Sequence, residues 1–531
     1  MPTPNDKSLK YLSIDDFSPG IVADYRTAGV SAPNLIEEAI KPGMAAANIN
    51  VGGIQIFSTF GCYANPEGKL VSLPYSTGQL FAGIDLAGDT FFDTAGIFAT
   101  PNGFTGEDVW TWVHCQHGGV DAMKVFRNLS LIKTHLGTIA QGPPRGVTKF
   151  LSRGRRSSFG TPGGPEMFYE WTSGEPHTDT SVMFYEVFPD PNAPSVDGTY
   201  EETGAINNAA FLLGGQICAH NGRVLRFCET GGGAATNFGT RNFYSNERVR
   251  NTDPPNSVSL TATTTDSVID PQNPSHYGAW GSLTYGELLL IKQYGGAILM
   301  EGDVYAPQIT RLPAVQSTGI HVSEMAWSPA GLVYMTDDGP YVWEGGSGSR
   351  RIGFPSRTFT FPTAYPPNSP GGVGSGITCS VIPWNSLVIF SGGAVWDSLT
   401  GAWWRLNQPQ SAGNLVYFTP DVSGSPARSF YAVVDTLDAG NKLQTFRYNA
   451  VNHAGGQFTW CSQPIATEYN TIDIVSVEIS FGAIQNGGNL SASMAFITID
   501  GTVAPTLTFP SLSGSNNMQT LRLRQPCGVR A

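Results

Sequence analysis

The chain has 531 residues, 63 of them Gly and 37 Pro, and only 14% are charged; it is too long for one ordinary domain of roughly 100–200 residues. A content of 40% hydrophobic and 11% aromatic residues excludes disorder, and the wealth of turn formers excludes a helical bundle or a doubly wound enzyme. Thirty basic against 42 acidic residues give a net charge of −12, which speaks against coating nucleic acid through phosphate contacts but not against letting DNA slide past.

In chain order, residues 1–40 read as an N-terminal arm. Tyr11-Leu12-Ser13-Ile14 suits a short strand, Asp15 to Gly20 a turn, and Pro33 to Ala39 a helical turn or two. The N-terminus has no apolar core of the kind a secretory signal needs, and no apolar run reaches the roughly 18–20 residues that span a bilayer. The chain is expected to be made and to fold in a cytoplasm, without membrane insertion. Its seven cysteines are scattered, with no C-x-x-C pair, so buried free thiols are expected rather than a disulfide framework or a zinc knuckle.

From 41 to 465 one local grammar recurs: a short β-rich run, a turn, the next run. Examples are Gly53 to Phe57, Gly222 to Phe227, Gly286 to Ile291, Gly331 to Met335, Ser386 to Phe390 and Ser429 to Val434. The later runs lie about 40–55 residues apart, near the blade period of a propeller. Asp338-Gly339 and Leu399-Thr400-Gly401 supply hairpin turns between such runs. The stretch 141–200, rich in Gly, Pro, Ser and Arg, reads as inserted loops or a distorted blade. From 466 the alternation Ile472 to Phe481, followed by Leu490 to Ile499 and Pro505 to Phe509, suggests a small C-terminal β-sandwich over 466–531. The expected fold is therefore an all-β chain: a β-propeller with an N-terminal arm and a small C-terminal β-sandwich.

The chemistry-bearing motifs are few. No nucleophile elbow, H-E-x-x-H or phosphate loop is present. Gly371 to Gly376 has no following Lys or helix and reads as a connector. His114-Cys115-Gln116-His117 is the one dense set of metal-ligand types, needing further ligands such as Asp121 or His135; beside Trp110, Trp112 and Val113, core packing is the simpler reading. The paired carboxylates Asp15-Asp16, Glu37-Glu38, Glu201-Glu202 and Asp337-Asp338 are adjacent in sequence, which does not place two carboxylates across a pocket as glycoside hydrolysis requires. Asp337-Asp338-Gly339 with Trp343 resembles a sialidase Asp-box but occurs once, and a plain hairpin turn accounts for it. Arg145, Lys149, Arg153, Arg155 and Arg156 form the sole basic run, a solvated loop or an interface in an acidic chain, with DNA contact the minor part of the latter. No catalytic residue, cofactor or metal is expected.

Phe17-Ser18-Pro19-Gly20-Ile21, Pro42-Gly43 through Asn48-Ile49, Val51-Gly52-Gly53-Ile54 and Gly68-Lys69-Leu70-Val71-Ser72-Leu73-Pro74 resemble the start of tail proteins of tailed bacteriophages. Asn221 to Leu225, Asn242 to Asn246, Leu290 to Gly302 and Gly331 to Gly346 resemble their blade elements. The nearest role is the tail nozzle of short-tailed phages. The resemblance implies a non-enzymatic virion structural protein, assembled in the host cytoplasm into a ring, often six-fold. That ring would extend and close the DNA channel, with portal or adaptor and tail fibres or spikes as neighbours. The competing expectation is a host-surface propeller that binds or cleaves glycans, with Trp110, Trp112, Trp403 and Trp404 stacking on sugars; propeller core is the plainer place for those four.

Overall fold

The computed structural model describes residues 14, 16–18, 49–51, 54–56, 59–76, 83–102, 106–136, 325–336, 339–345, 349–353, 380–407, 415–420, 429–449, 459–460, 489–496, 506–509 and 511–513, together with the strands named below. Two compact units divide the chain. One takes residues 73–354 and 359–453, the other 1–72, 355–358 and 454–531.

The larger unit is a β-propeller. Among the described residues it holds seven four-stranded antiparallel sheets. Blade 1 is Asp89–Asn102, Gly106–His117, Val120–Arg127 and Ser130–Leu136. Blade 2 is Phe150–Leu151, Met167–Thr172, Val182–Val187 and Tyr200–Thr203. Blade 3 is Ile217–His220, Arg223–Glu229, Thr240–Ser245 and Leu260–Ala262. Blade 4 is Gly281–Tyr285, Leu288–Gln293, Gly296–Glu301 and Gln308–Leu312. Blade 5 is Met325–Ser328, Gly331–Thr336, Gly339–Trp343 and Ser349–Arg351. Blade 6 is Val381–Trp384, Leu387–Phe390, Ala394–Asp397 and Trp403–Arg405. Blade 7 is Leu415–Pro420, Phe430–Leu437, Lys442–Tyr448 and, from far upstream, Ile84–Asp85.

The first strand of each blade packs against the first strand of the next, from blade 2 through blade 7 and on to blade 1. A sheet covered on both faces needs apolar residues at successive positions rather than alternate ones. Blade 6 has them: Leu387-Val388-Ile389-Phe390 and Ala394-Val395-Trp396-Asp397 are buried throughout. Closure falls at blade 7. Leu443 pairs with Ile84 and Lys442 with Asp85, and Tyr75 bridges Asn449, so the start of the unit completes the sheet made by its end. Across the same seam the Thr94 hydroxyl donates to the Val434 carbonyl at 2.9 Å, and Ala99 N donates to Thr419 Oγ1 at 3.3 Å. Blades 6 and 7 are joined likewise, Ser391 Oγ donating to Val416 O at 2.5 Å.

The stretch 141–200, expected as inserted loops or a distorted blade, contains the first three strands of blade 2 and the start of the fourth. In the smaller unit Thr59–Phe60 pairs with Thr459–Trp460, which draws residues up to 72 together with the C-terminal segment. The units therefore part at 72 and 454, where the sequence reading placed boundaries at 40 and 465. Cys62–Ala64 pairs with Leu70–Ser72 and Ile49–Val51 with Ile54–Ile56. Where a small sandwich is expected, the described strands form three nested antiparallel pairs: Asp473–Phe481 with Leu521–Arg530, Asn489–Leu490 with Leu512–Ser513, and Ser493–Met494 with Leu507–Thr508. No helix among the described residues is long and apolar enough to cross a membrane.

Candidate functional site

The basic run Arg145, Lys149, Arg153, Arg155 and Arg156 lies outside the described residues, as do Asp15, Asp337, Asp338 and the connector Gly371 to Gly376. Glu37 and Glu38 lie outside them as well. Trp110, Trp112, Trp403 and Trp404 are 0% exposed, so sugar stacking by these four is overturned: they fill the propeller core. His114 and Cys115 are adjacent on one strand, so their side chains leave opposite faces of the sheet. His114 is buried with its ring 4.9 Å from that of Phe92, and Cys115 is 0% exposed. Among the described residues no three His, Cys, Asp or Glu side chains gather as a metal-holding group.

His117 belongs to a different cluster. Asp89, which opens blade 1, lies opposite His117 in the ladder. Its carboxylate accepts a hydrogen bond from His117 Nδ1 at 2.7 Å and pairs through its other oxygen with the Lys124 ammonium. The Asp89 side chain is only 2% exposed and that of Lys124 9%, while His117 is half exposed at 51%. Burial pushes the Asp89 carboxyl up, but the hydrogen bonds from Lys124 and His117 outweigh it and hold the group below its ordinary range. Gly118 and Gly119, both at positive φ (60° and 82°), make the tight two-residue turn that brings His117 to the end of its strand. The arrangement has a charged carboxylate, a compensating ammonium and a half-exposed imidazole. It fixes the start of blade 1 beside the closure strand Ile84–Asp85. Asp89 and Lys124 stand 35 residues apart, and no sequence motif connects them.

The second cluster lies in the smaller unit. Phe17 N donates to the Gly68 carbonyl at 2.8 Å, and the Phe17 ring meets Trp460 edge-on with centroids 4.8 Å apart. Asp16 Oδ1 accepts from Ser18 N at 2.9 Å, closing an Asx turn. The receiving turn is shaped by Asn65, whose side-chain oxygen accepts from Glu67 N and Lys69 N at 3.1 and 2.8 Å. Gly68 has φ +75°, and a Cβ there would collide with the Asp16 carboxylate; only glycine admits both the turn and the arm. Below it, Cys62 Sγ donates to Thr459 O at 3.4 Å, and burial pushes that thiol up to about 12, which leaves it unreactive. Thus Asp16 to Ser18, part of the expected arm, anchor on their own chain. Trp460 is the partner that sequence reasoning missed, since it lies more than 440 residues downstream of Phe17.

No protein-family model matches the chain, and no curated protein sequence matches it significantly. Solved structures resemble it in fold. The acylaminoacyl peptidase of Pyrococcus horikoshii is 8% identical over 74% of this chain and 56% of its own, with a TM-score of 0.33. This chain thus spans a little over half the length of that peptidase. Chaetomium thermophilum Sqt1, bound to the N-terminus of ribosomal protein L10, is 15% identical over 71% of this chain and 100% of its own, at a TM-score of 0.35. The hemagglutinin-neuraminidase of parainfluenza virus 5 is 10% identical over 71% and 94%, at 0.33. These likenesses concern fold alone, and the propeller assignment rests on the sheet topology.

Proposed function

We propose that this chain is a non-enzymatic structural subunit of a phage tail, nozzle-like, that works by assembling with copies of itself into a ring at the end of the DNA channel. The observation that supports this reading is the arm anchor. Two of the separate sequence elements that resemble phage tail proteins, Phe17-Ser18 and Gly68-Lys69, are hydrogen-bonded to one another, in a unit distinct from the propeller. Such a division gives the subunit two bodies for two kinds of neighbour, copies of itself and other virion proteins. Portal or adaptor and tail fibres or spikes are the partners this reading assigns. The net charge of −12 suits a lumen past which DNA moves without sticking, and the place of action is the virion after assembly in the host cytoplasm.

The test is the mass and symmetry of particles formed by the purified protein, alone and mixed with its phage's portal and adaptor, by mass photometry and two-dimensional image averages. Closed rings with an axial channel, six-fold above all, are the expected result. A chain that stays monomeric in both conditions and cleaves a bacterial polysaccharide would overturn the reading in favour of an enzyme.

A further inference from the structure

In blades 1 and 6 the tryptophans are buried: Trp110, Trp112, Trp396, Trp403 and Trp404 are at most 1% exposed and Trp384 is 8% exposed. Blade 5 is built differently. Its register sets Trp327, Leu332, Trp343 and Ser349 side by side in one cross-strand row, and Met325, Tyr334, Tyr341 and Arg351 in the next row but one. Residues directly opposed, or two apart along a strand, share a face, so these eight side chains stand on one surface. Met325, Leu332 and Tyr334 are its buried floor, and Trp327, Tyr341 and Trp343 lie on that floor only partly buried. The two indoles are 6.4 Å apart at 50°, and the two phenol rings stack at 6.0 Å. Gly331 makes the close approach possible, because a Cβ there would strike the Trp343 carbonyl. Polar groups surround the rings. Ser349 is hydrogen-bonded to the Tyr334 hydroxyl, Arg351 is exposed at the end of the Tyr341 row, and Glu344 and Arg350 form an exposed ion pair at 2.6 Å.

Partly exposed aromatic rings bordered by hydrogen-bonding groups suit a ligand with one apolar face and a polar edge. A pyranose ring is such a ligand, its C–H face meeting an indole while its hydroxyls reach the rim. The cation at the end of the row adds a preference for a carboxylate. We propose that this face of blade 5 binds an acidic saccharide, the sugar ring lying on Trp327 and Trp343 and its carboxylate at Arg351. This site is separate from the four core tryptophans and does not depend on ring assembly.

The test uses the full chain, titrated with a hyaluronan hexasaccharide and with a galacturonate hexamer and followed by tryptophan fluorescence and saturation-transfer NMR. Neutral cellohexaose is the comparison. Saturable binding of at least one acidic oligomer is expected, with cellohexaose at least about tenfold weaker. Trp343→Phe, which keeps an apolar ring in place, and Arg351→Gln should each weaken the acidic ligand about tenfold, the scale of one aromatic stack or one charge contact. Absence of saturable binding by both acidic oligomers, equal binding of cellohexaose, or parent-like affinity in both variants would overturn the proposal. If Trp343→Phe does not fold, the exposed Arg351→Gln decides alone.

Discussion

Blades 1 and 6 build the same four-stranded sheet from opposite materials. Blade 6 is sealed largely by apolar side chains, with Asp397 the one buried acid at the end of its third strand. Its second and third strands are buried end to end, the Trp403 ring lies 5.7 Å from that of Phe390, and its indole N–H donates to Gly353 O at 2.6 Å. Blade 1 buries charge: Asp89, Lys124, Asp108 and Arg127 are all within its sheet or at its ends. Arg127 lies over the Trp110 ring at 5.7 Å, and the Asp108 carboxylate accepts from Asn128 Nδ2 at 2.9 Å. The Asp89–Lys124 pair and the Asn128–Asp108 hydrogen bond are both made within blade 1, where directional bonds hold its register.

The largest effect that would break this comparison is in blade 6. Trp403→Ala removes a side chain with no exposed surface and leaves a cavity that neighbours packed on both sides cannot fill. The expected loss is about 3–5 kcal/mol, read from urea unfolding with blade 6 intact as the reference. A loss below about 1 kcal/mol would mean that blade 6 is not the sealed element described.

Blade 1 should respond to pH through Asp89. The Asp89 carboxyl is held below its ordinary range by Lys124 and His117. Its contribution to stability is therefore fully present above the unfolded value of about 3.9 and is lost as pH falls through the lower folded value. Asp89→Asn keeps the shape but leaves the Lys124 ammonium buried without its carboxylate. We expect a loss of about 2–3 kcal/mol at neutral pH, less than for a fully enclosed pair because His117 is half exposed. Below about pH 4 the difference between variant and parent should shrink. Unfolding curves at a series of pH values decide it: a difference that stays constant into acid would show that Asp89 does not act through its charge.

Much of blade 6 was legible in the sequence and little of blade 1. Five of the six recurring runs that suggested a propeller are the second strands of successive blades, Arg223–Glu229, Leu288–Gln293, Gly331–Thr336, Leu387–Phe390 and Phe430–Leu437; the sixth, Gly53 to Phe57, falls in the smaller unit, where Ile54–Ile56 pairs with Ile49–Val51. Leu387–Phe390 stands out most, because a strand buried at every position is apolar without interruption. Blade 1 hides that signal, since its second strand, Gly106–His117, mixes Glu107, Asp108, His114 and Gln116 among the tryptophans. Its first strand carries two bulges, between Phe91 and Asp93 and between Thr94 and Gly96, which break any period. Blade 2 escapes notice because its first strand is two residues long and its connections are long. The closure strand Ile84–Asp85, the Asp89–Lys124 pair and the stacking of Phe17 on Trp460 join residues whose meeting depends on the whole topology, which no local pattern encodes.

The smallest expected effect concerns the turns. Blade 6 closes its last hairpin with Asp397, 4% exposed, whose carboxylate accepts from Leu399 N at 3.1 Å and from the Thr400 hydroxyl at 2.6 Å. Blade 1 closes its central hairpin with Gly118 and Gly119 and needs no side chain, because two residues at positive φ already match the twist of the flanking strands. Asp397→Ala frees two donors at a turn that water can reach, since Leu399 beside it is 63% exposed. The loss should then be about 1 kcal/mol, one net hydrogen bond rather than two buried orphans. Hydrogen exchange provides the finer reading. The amide of Leu399 should lose protection while those of Val395 and Trp396 keep theirs, because the strands are held by packing and not by the turn. Loss of protection along the whole strand would instead make Asp397 the element that registers the blade, and the contrast between a side-chain turn and a glycine turn would then be one of fold specification rather than local fit.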